Sequence, residues 1–87
     1  MAERRRRRLL QRLLSGSKNI RFGEAVACAE AFGFQLSRVN GSHHIYVHAN
    51  IPELLNIQNV NGQAKPYQVK QLLRLIERYN LEMGDES

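Results

Sequence analysis

Residues 34–48 read FQLSRVNGSHHIYVH, and the way this stretch folds back on itself decides the fold. Before Asn40-Gly41, the residues Phe34, Leu36 and Arg38 alternate with Gln35, Ser37 and Val39; after it, SHHIYVHA alternates again. A period of two is the mark of a strand. Asn-Gly between two such runs signals a hairpin, because a type I′ turn needs φ > 0 at both central residues. A two-residue Asn40-Gly41 loop predicts Val39 opposite Ser42, Arg38 opposite His43, Ser37 opposite His44, Leu36 opposite Ile45, Gln35 opposite Tyr46 and Phe34 opposite Val47. One face then carries Phe34, Leu36, Ile45 and Val47 and ends in Arg38 and His43. The other carries Gln35, Ser37, His44, Tyr46 and His48.

All three histidines of the chain lie between residues 43 and 48, and this register separates them. His43 falls at the rim of the helix-covered face, against an arginine. Partial burial and a neighbouring guanidinium both disfavour the imidazolium form, which leaves His43 either a base or a structural rim histidine. Arg38 could stabilise charge on a phosphate. His44 and His48 share the open face, as solvated strand residues or as substrate contacts. They lie roughly 13 Å apart at strand rise, too far to share an ion that needs nitrogen ligands at about 2 Å. No metal site within the chain and no cofactor is expected.

Outward from the hairpin, RFGEAVACAEAFGF places Phe22, Ala25, Val26, Ala29 and Phe32 at helical spacing, with Gly33 where a left-handed stop is wanted. This predicts a helix over 22–32. In IPELLNIQNV, Pro52 argues against a central strand at that point, while Leu55 and Ile57 alternate with Asn56 and Gln58, a third strand at about 54–59. Asn61-Gly62 makes a second turn. KPYQVKQLLRLIERYN is the clearest helix: Pro66 suits its first turn, and Val69, Leu72, Leu73, Ile76 and Tyr79 form one stripe. The expected fold is an α+β sandwich, α-β-β-β-α, with both main helices on one face of a three-stranded antiparallel sheet. Residues 1–18 form a basic arm with an extra short helix, 19–82 the domain and 83–87 a tail.

The net charge of +5 is unevenly placed. Residues 1–18 hold seven basic residues against one acidic; residues 19–87 hold six against seven. The domain is near neutral, so nucleic-acid binding needs a local cationic patch, with the arm as a non-specific anchor. Leu9, Leu10, Leu13 and Leu14 in the arm form a helical stripe fit to pack on the domain or on a partner. A lone cysteine, Cys28, excludes a disulfide within the chain. No apolar run is long enough to span a bilayer, and the leucines near the N-terminus are too broken for a signal peptide. A soluble cytoplasmic protein is expected.

GFQLSRVNGSHHIYVH and, downstream, AKPYQVKQLLRLIERYNL resemble the HicA family of toxins from bacterial and archaeal toxin–antitoxin systems. The shared pattern is a helix, Gly-Phe, a strand ending in Arg-x-x-Gly-Ser-His, two more strands and a helix, over about residues 20–81. The resemblance implies a fold like that of a double-stranded-RNA-binding domain. It implies endonucleolytic cleavage of mRNA, with the histidine after Gly-Ser, His43, as the catalytic residue. It implies a HicB-like antitoxin that masks the site, so that DNA is reached only indirectly, through the antitoxin complex. The expected chemistry is metal-independent attack of a ribose 2′-OH. Arg38, Ser42, His44, Lys65 and Lys70 are the candidate RNA and phosphate contacts, Lys65 together with the N-terminal amides of the last helix. Two other functions fit the same residues: an RNA-binding module without catalysis, and a protein-interaction subunit.

Overall fold

The computed structural model describes residues 2–16 and 19–83, with side chains from residue 7 onward. The side chains of Arg4 to Arg6, residues 17–18 and residues 84–87 of the expected tail lie outside the described residues. The order is α1 (Ala2–Leu14), α2 (Phe22–Ala31), β1 (Gln35–Asn40), β2 (His43–His48), β3 (Ile51–Val60), β4 (Gln63–Ala64) and α3 (Pro66–Arg78). The four strands form an antiparallel meander, β1-β2-β3-β4, and α2 and α3 pack on one face of it. The fold is the expected α+β sandwich, with the short β4 added. The segment before α2 runs beside β4: Phe22 N–H donates to the Gly62 carbonyl and Ala64 N–H to the Ile20 carbonyl, both at 2.9 Å.

The helix ends follow from their residues. At the start of α2, the Arg21 N–H donates to Glu24 Oε1 at 2.9 Å, so one otherwise orphaned amide is satisfied. The same Glu24 carboxylate pairs with Arg12 of α1 at 2.7 Å. At the other end Gly33 has φ +95°, and Phe34 N–H reaches back to the Ala29 carbonyl while Gly33 N–H reaches Glu30. This is a Schellman stop. α3 begins with Pro66 and ends the same way, with Asn80 at φ +50° as the left-handed residue and Leu81 N–H on the Ile76 carbonyl. The chain then turns back, and Leu81 and Met83 pack against the core beside Leu10 of α1. Leu13 of α1 is 2% exposed, whereas Leu14 is 61% exposed. The arm helix is therefore joined to the domain by one side of its leucine stripe.

The core lies between the helices and the sheet: Ala25, Cys28 and Ala29 of α2 meet Leu55 and Ile57 of β3 and Leu72 and Leu75 of α3. Burial pushes the Cys28 thiol up to about 11, so it stays protonated. β3 is longer than its sequence indicates and contains Pro52. Backbone groups alternate sides along a strand, and Gln58 turns its N–H to the outer edge, toward Gln68. Pro52 lies beyond the reach of β4, which pairs only with Asn59 and Val60, so β3 has no strand on its outer edge at that point.

The hairpin register differs from the expected one. Asn40 pairs with His43, Val39 with His44, Arg38 with Ile45, Leu36 with Tyr46 and Gln35 with Val47, with a bulge at Ser37. The loop is Gly41-Ser42, and Gly41 alone of the two has positive φ, at +62°. That is the demand of a type II′ turn, glycine at the first central position. The second Asn-Gly behaves as its type suggests: Asn61 and Gly62 both have positive φ, and Val60 pairs with Gln63. At the first turn the shift by one residue lets Tyr46, 3% exposed, sit in the core opposite Leu55. The expected faces of β2 are thereby exchanged: His44, Tyr46 and His48 point toward the helices, and His43, Ile45 and Val47 toward the open side.

Gly33 makes a sharp test of this packing, since an added Cβ would lie 2.9 Å from His48 Nε2. Gly33→Ala is expected to cost about 1–3 kcal/mol from backbone strain, with further loss from that collision, read as a lower urea midpoint at unchanged slope. Replacing His48 by Ala in the same chain removes the collision, so the double variant should lose less than the sum of the two single losses.

Candidate active site

The three histidines have different duties. His48 Nε2–H donates to the Phe32 carbonyl at 3.0 Å, while its Nδ1 accepts the Asn50 N–H at 3.0 Å. Its ring also meets Phe34 edge-on, with centroids 5.2 Å apart. Both nitrogens are thus occupied in tying the β2–β3 turn to the end of α2. His44 packs against Phe22 of α2, centroids 4.6 Å apart, and its Nδ1–H donates to the Ser42 carbonyl at 3.1 Å. Because a carbonyl can only accept, that bond fixes the tautomer. His43 alone is on the open face. Its Nδ1 lies 3.0 Å from Nδ2 and 3.3 Å from Oδ1 of Asn56, and its Nε2 bonds to no described residue.

Around His43 the open face is polar at the hairpin end and apolar farther along. Gln58 of β3 is its cross-strand partner, and Asn56 lies opposite Ile45. Gln58 Nε2 donates to Ser42 Oγ at 3.2 Å, which leaves the serine hydroxyl proton available. The Ser42 carbonyl also accepts the Asn59 N–H at 2.9 Å, so the turn is held from β3. On its other side the Gln58 backbone N–H donates to Gln68 Oε1 at 2.6 Å. Gln68 is 2% exposed in the first turn of α3. A continuous chain of contacts therefore runs from the helix core through β3 to Ser42. Beyond Asn56, Leu54 stands 52% exposed.

The other expected contacts divide. Arg38 is exposed opposite Ile45, so it shares the open face with His43 as a diagonal neighbour rather than as its direct partner. Lys65 immediately precedes α3, with its ammonium 5.9 Å from the exposed Tyr67 ring, one strand away from His43 through Gln68 and Gln58. Lys70 does not join them. It lies on the outer side of α3 with Arg74 and Arg78, across the helix layer from the open face. His44, expected on the open face, is turned to the helices because of the register described above. Asn56 and Gln58, in the sequence simply the polar side of a strand, stand beside His43 because the short β2–β3 connection lays β3 against β2.

Hollows between α1 and Leu81–Met83, along the outer side of α3 and beside His48 do not include His43. His43 stands instead on the open face of the sheet. Among the described residues no three His, Cys, Asp or Glu side chains gather as a metal site, and no helix is long and apolar enough to cross a membrane.

Residues 22–77 match the family described as the HicA toxin of bacterial toxin-antitoxin. The chain belongs to the HicA toxin family. It is the toxin of a toxin–antitoxin system, and its partner is an antitoxin. None of the curated proteins matches the chain. The HicA match begins at Phe22 and leaves α1 outside it, although Leu13 is part of the same core.

Gln68→Leu tests the chain of contacts behind this HicA site. It strands the Gln58 N–H and is expected to cost about 1–3 kcal/mol. Amide exchange should quicken at Gln58, whereas the β1–β2 pair should keep its protection.

Proposed function

We propose that this chain is an endoribonuclease that cleaves mRNA, with His43 as general base. The observation that carries the reading is the division of labour among the histidines: His43 is the one with a ring nitrogen to spare on the open face. In the reaction, the neutral imidazole takes the proton of a ribose 2′-OH and the 2′-oxygen bonds to the adjacent phosphorus. The P–O5′ bond breaks, giving a 2′,3′-cyclic phosphate and a 5′-oxygen that is protonated by water. The imidazolium then returns its proton to solvent. Arg38 and Ser42 flank His43, and both can donate to the phosphate as its charge builds. Lys65 and the α3 amides hold a phosphate farther along the strand. The antitoxin silences the enzyme by covering this face, in the cytoplasm, and the toxin meets DNA only through that complex.

A second reading, RNA binding without cleavage, is favoured by one observation: the exposed cations Lys70 and Arg74 lie on the helix side, away from His43. The two part on one variant. A single positioned base contributes about 10²–10⁴-fold. His43→Ala, expressed without antitoxin, is expected to lose mRNA cleavage by at least about 10²-fold and to relieve growth arrest, with RNA affinity retained. Wild-type products should end in 2′,3′-cyclic phosphate and form equally in EDTA. Cleavage that persists in His43→Ala sinks the assignment.

A further inference from the structure

We propose that Asn56 is the positioning residue for His43: its side-chain amide holds Nδ1 of the imidazole toward β3 and so makes Nε2 the reacting nitrogen. The inference rests on the cleavage reading above and adds to it the residue that orients the base.

The geometry comes from strand pairing. His43 and Asn56 are diagonal neighbours across β2 and β3, on the open face, and both are half-buried. A surface histidine free to turn about two side-chain torsions presents Nδ1 or Nε2 by turns. An orienting bond removes that choice and its entropy before substrate arrives. The Asn56 amide can do this in each state the ring passes through. Its Oδ1, 3.3 Å away, accepts Nδ1–H while Nε2 is the free base, and accepts it still when Nε2 has gained the proton. Its Nδ2, 3.0 Å away, can donate to Nδ1 when the proton stays on Nε2. An amide turned about its last torsion exchanges the two roles without moving the ring.

Chemistry explains why an amide suits the position. A carboxylate there would hold the ring equally well but would favour the imidazolium and repel the RNA phosphate. Asn56 orients without adding charge. Arg38 is then the charged side chain of β1 on this face. The neighbouring open-face residues of β2 and β3, namely Ile45, Val47, Leu54 and Gln58, carry no charge. Gln58, directly across from His43, is occupied with Ser42, so it does not compete for the ring.

The test compares wild type, Asn56→Leu, Asn56→Asp and His43→Ala as full chains. RNA cleavage is followed against pH, and the His43 ring nitrogens are followed by 15N NMR without RNA. Asn56→Leu should lower kcat by about 10–100-fold with KM nearly unchanged, and should change the proportion of the two His43 tautomers. Asn56→Asp puts a negative charge beside the ring, so the proton is held to higher pH. The acid limb of kcat/KM and the His43 midpoint should both move up, by about one unit. Circular dichroism and the other two histidines, unmoved, report that each variant is folded. If His43→Ala is inert while both Asn56 variants match wild type in rate profile and ring spectra, the positioning role is overturned and the cleavage reading stands. If His43→Ala cleaves as wild type does, His43 is not the base and the positioning role fails with it.

Discussion

Burial of Tyr46 opposite Leu55, with the two-residue turn at Gly41-Ser42 that it requires, fixes which side of the sheet every β2 side chain occupies. The turn's glycine takes the one positive φ the turn needs, Asn40 stays in the strand, and Tyr46 enters the core opposite Leu55. Everything distinctive about the site follows. With Tyr46 inward, His44 and His48 are inward too and find carbonyls and aromatic rings there. His43 is outward and finds Asn56.

Most of the architecture was legible in the sequence, because helices and strands announce themselves by period. The Phe22–Phe32 and Val69–Tyr79 stripes, the Gly33 stop and the Pro66 start appear where their spacing places them. The hairpin itself was legible, but its register was not. Asn-Gly suits a type I′ loop, and Gly-Ser, one residue on, suits a type II′ loop almost as well. The choice is made by packing that involves residues far along the chain: a buried tyrosine outweighs the preference of the turn. Pro52 does lie where β3 is an edge rather than a central strand, as its missing donor indicates, but the strand runs through it and begins at Ile51 rather than at about 54, because that edge has no neighbour to lose a bond from.

The site was half legible. His43 stood out by its Gly-Ser-His setting and its place next to Arg38, and the two do share a face. The face itself and the direct partner were misread together, because both hang on the register. Asn56 and Gln58 carry no signal of their own in a single sequence. They look like the wet side of an amphipathic strand until β3 is laid beside β2. Gln68 was equally silent: a glutamine in a helical stripe reads as surface, yet it is buried because β4 stops short and the Gln58 amide needs an acceptor.

The turn also sets what kinds of genetic change this protein can survive. Substitutions along β2 alter one contact at a time, and the neighbours can adjust. A single codon inserted or deleted between Asn40 and His43 is a different event. The strand alternates with a period of two, so a one-residue slip against a buried face exchanges inside and outside along the whole of β2. With the turn held at two residues the protein would have to bury His43 and expose Tyr46, or break the pairing; only a longer loop leaves the faces as they are. A reading-frame-preserving indel in this loop can therefore disturb the whole of β2 while changing no residue of the strand itself.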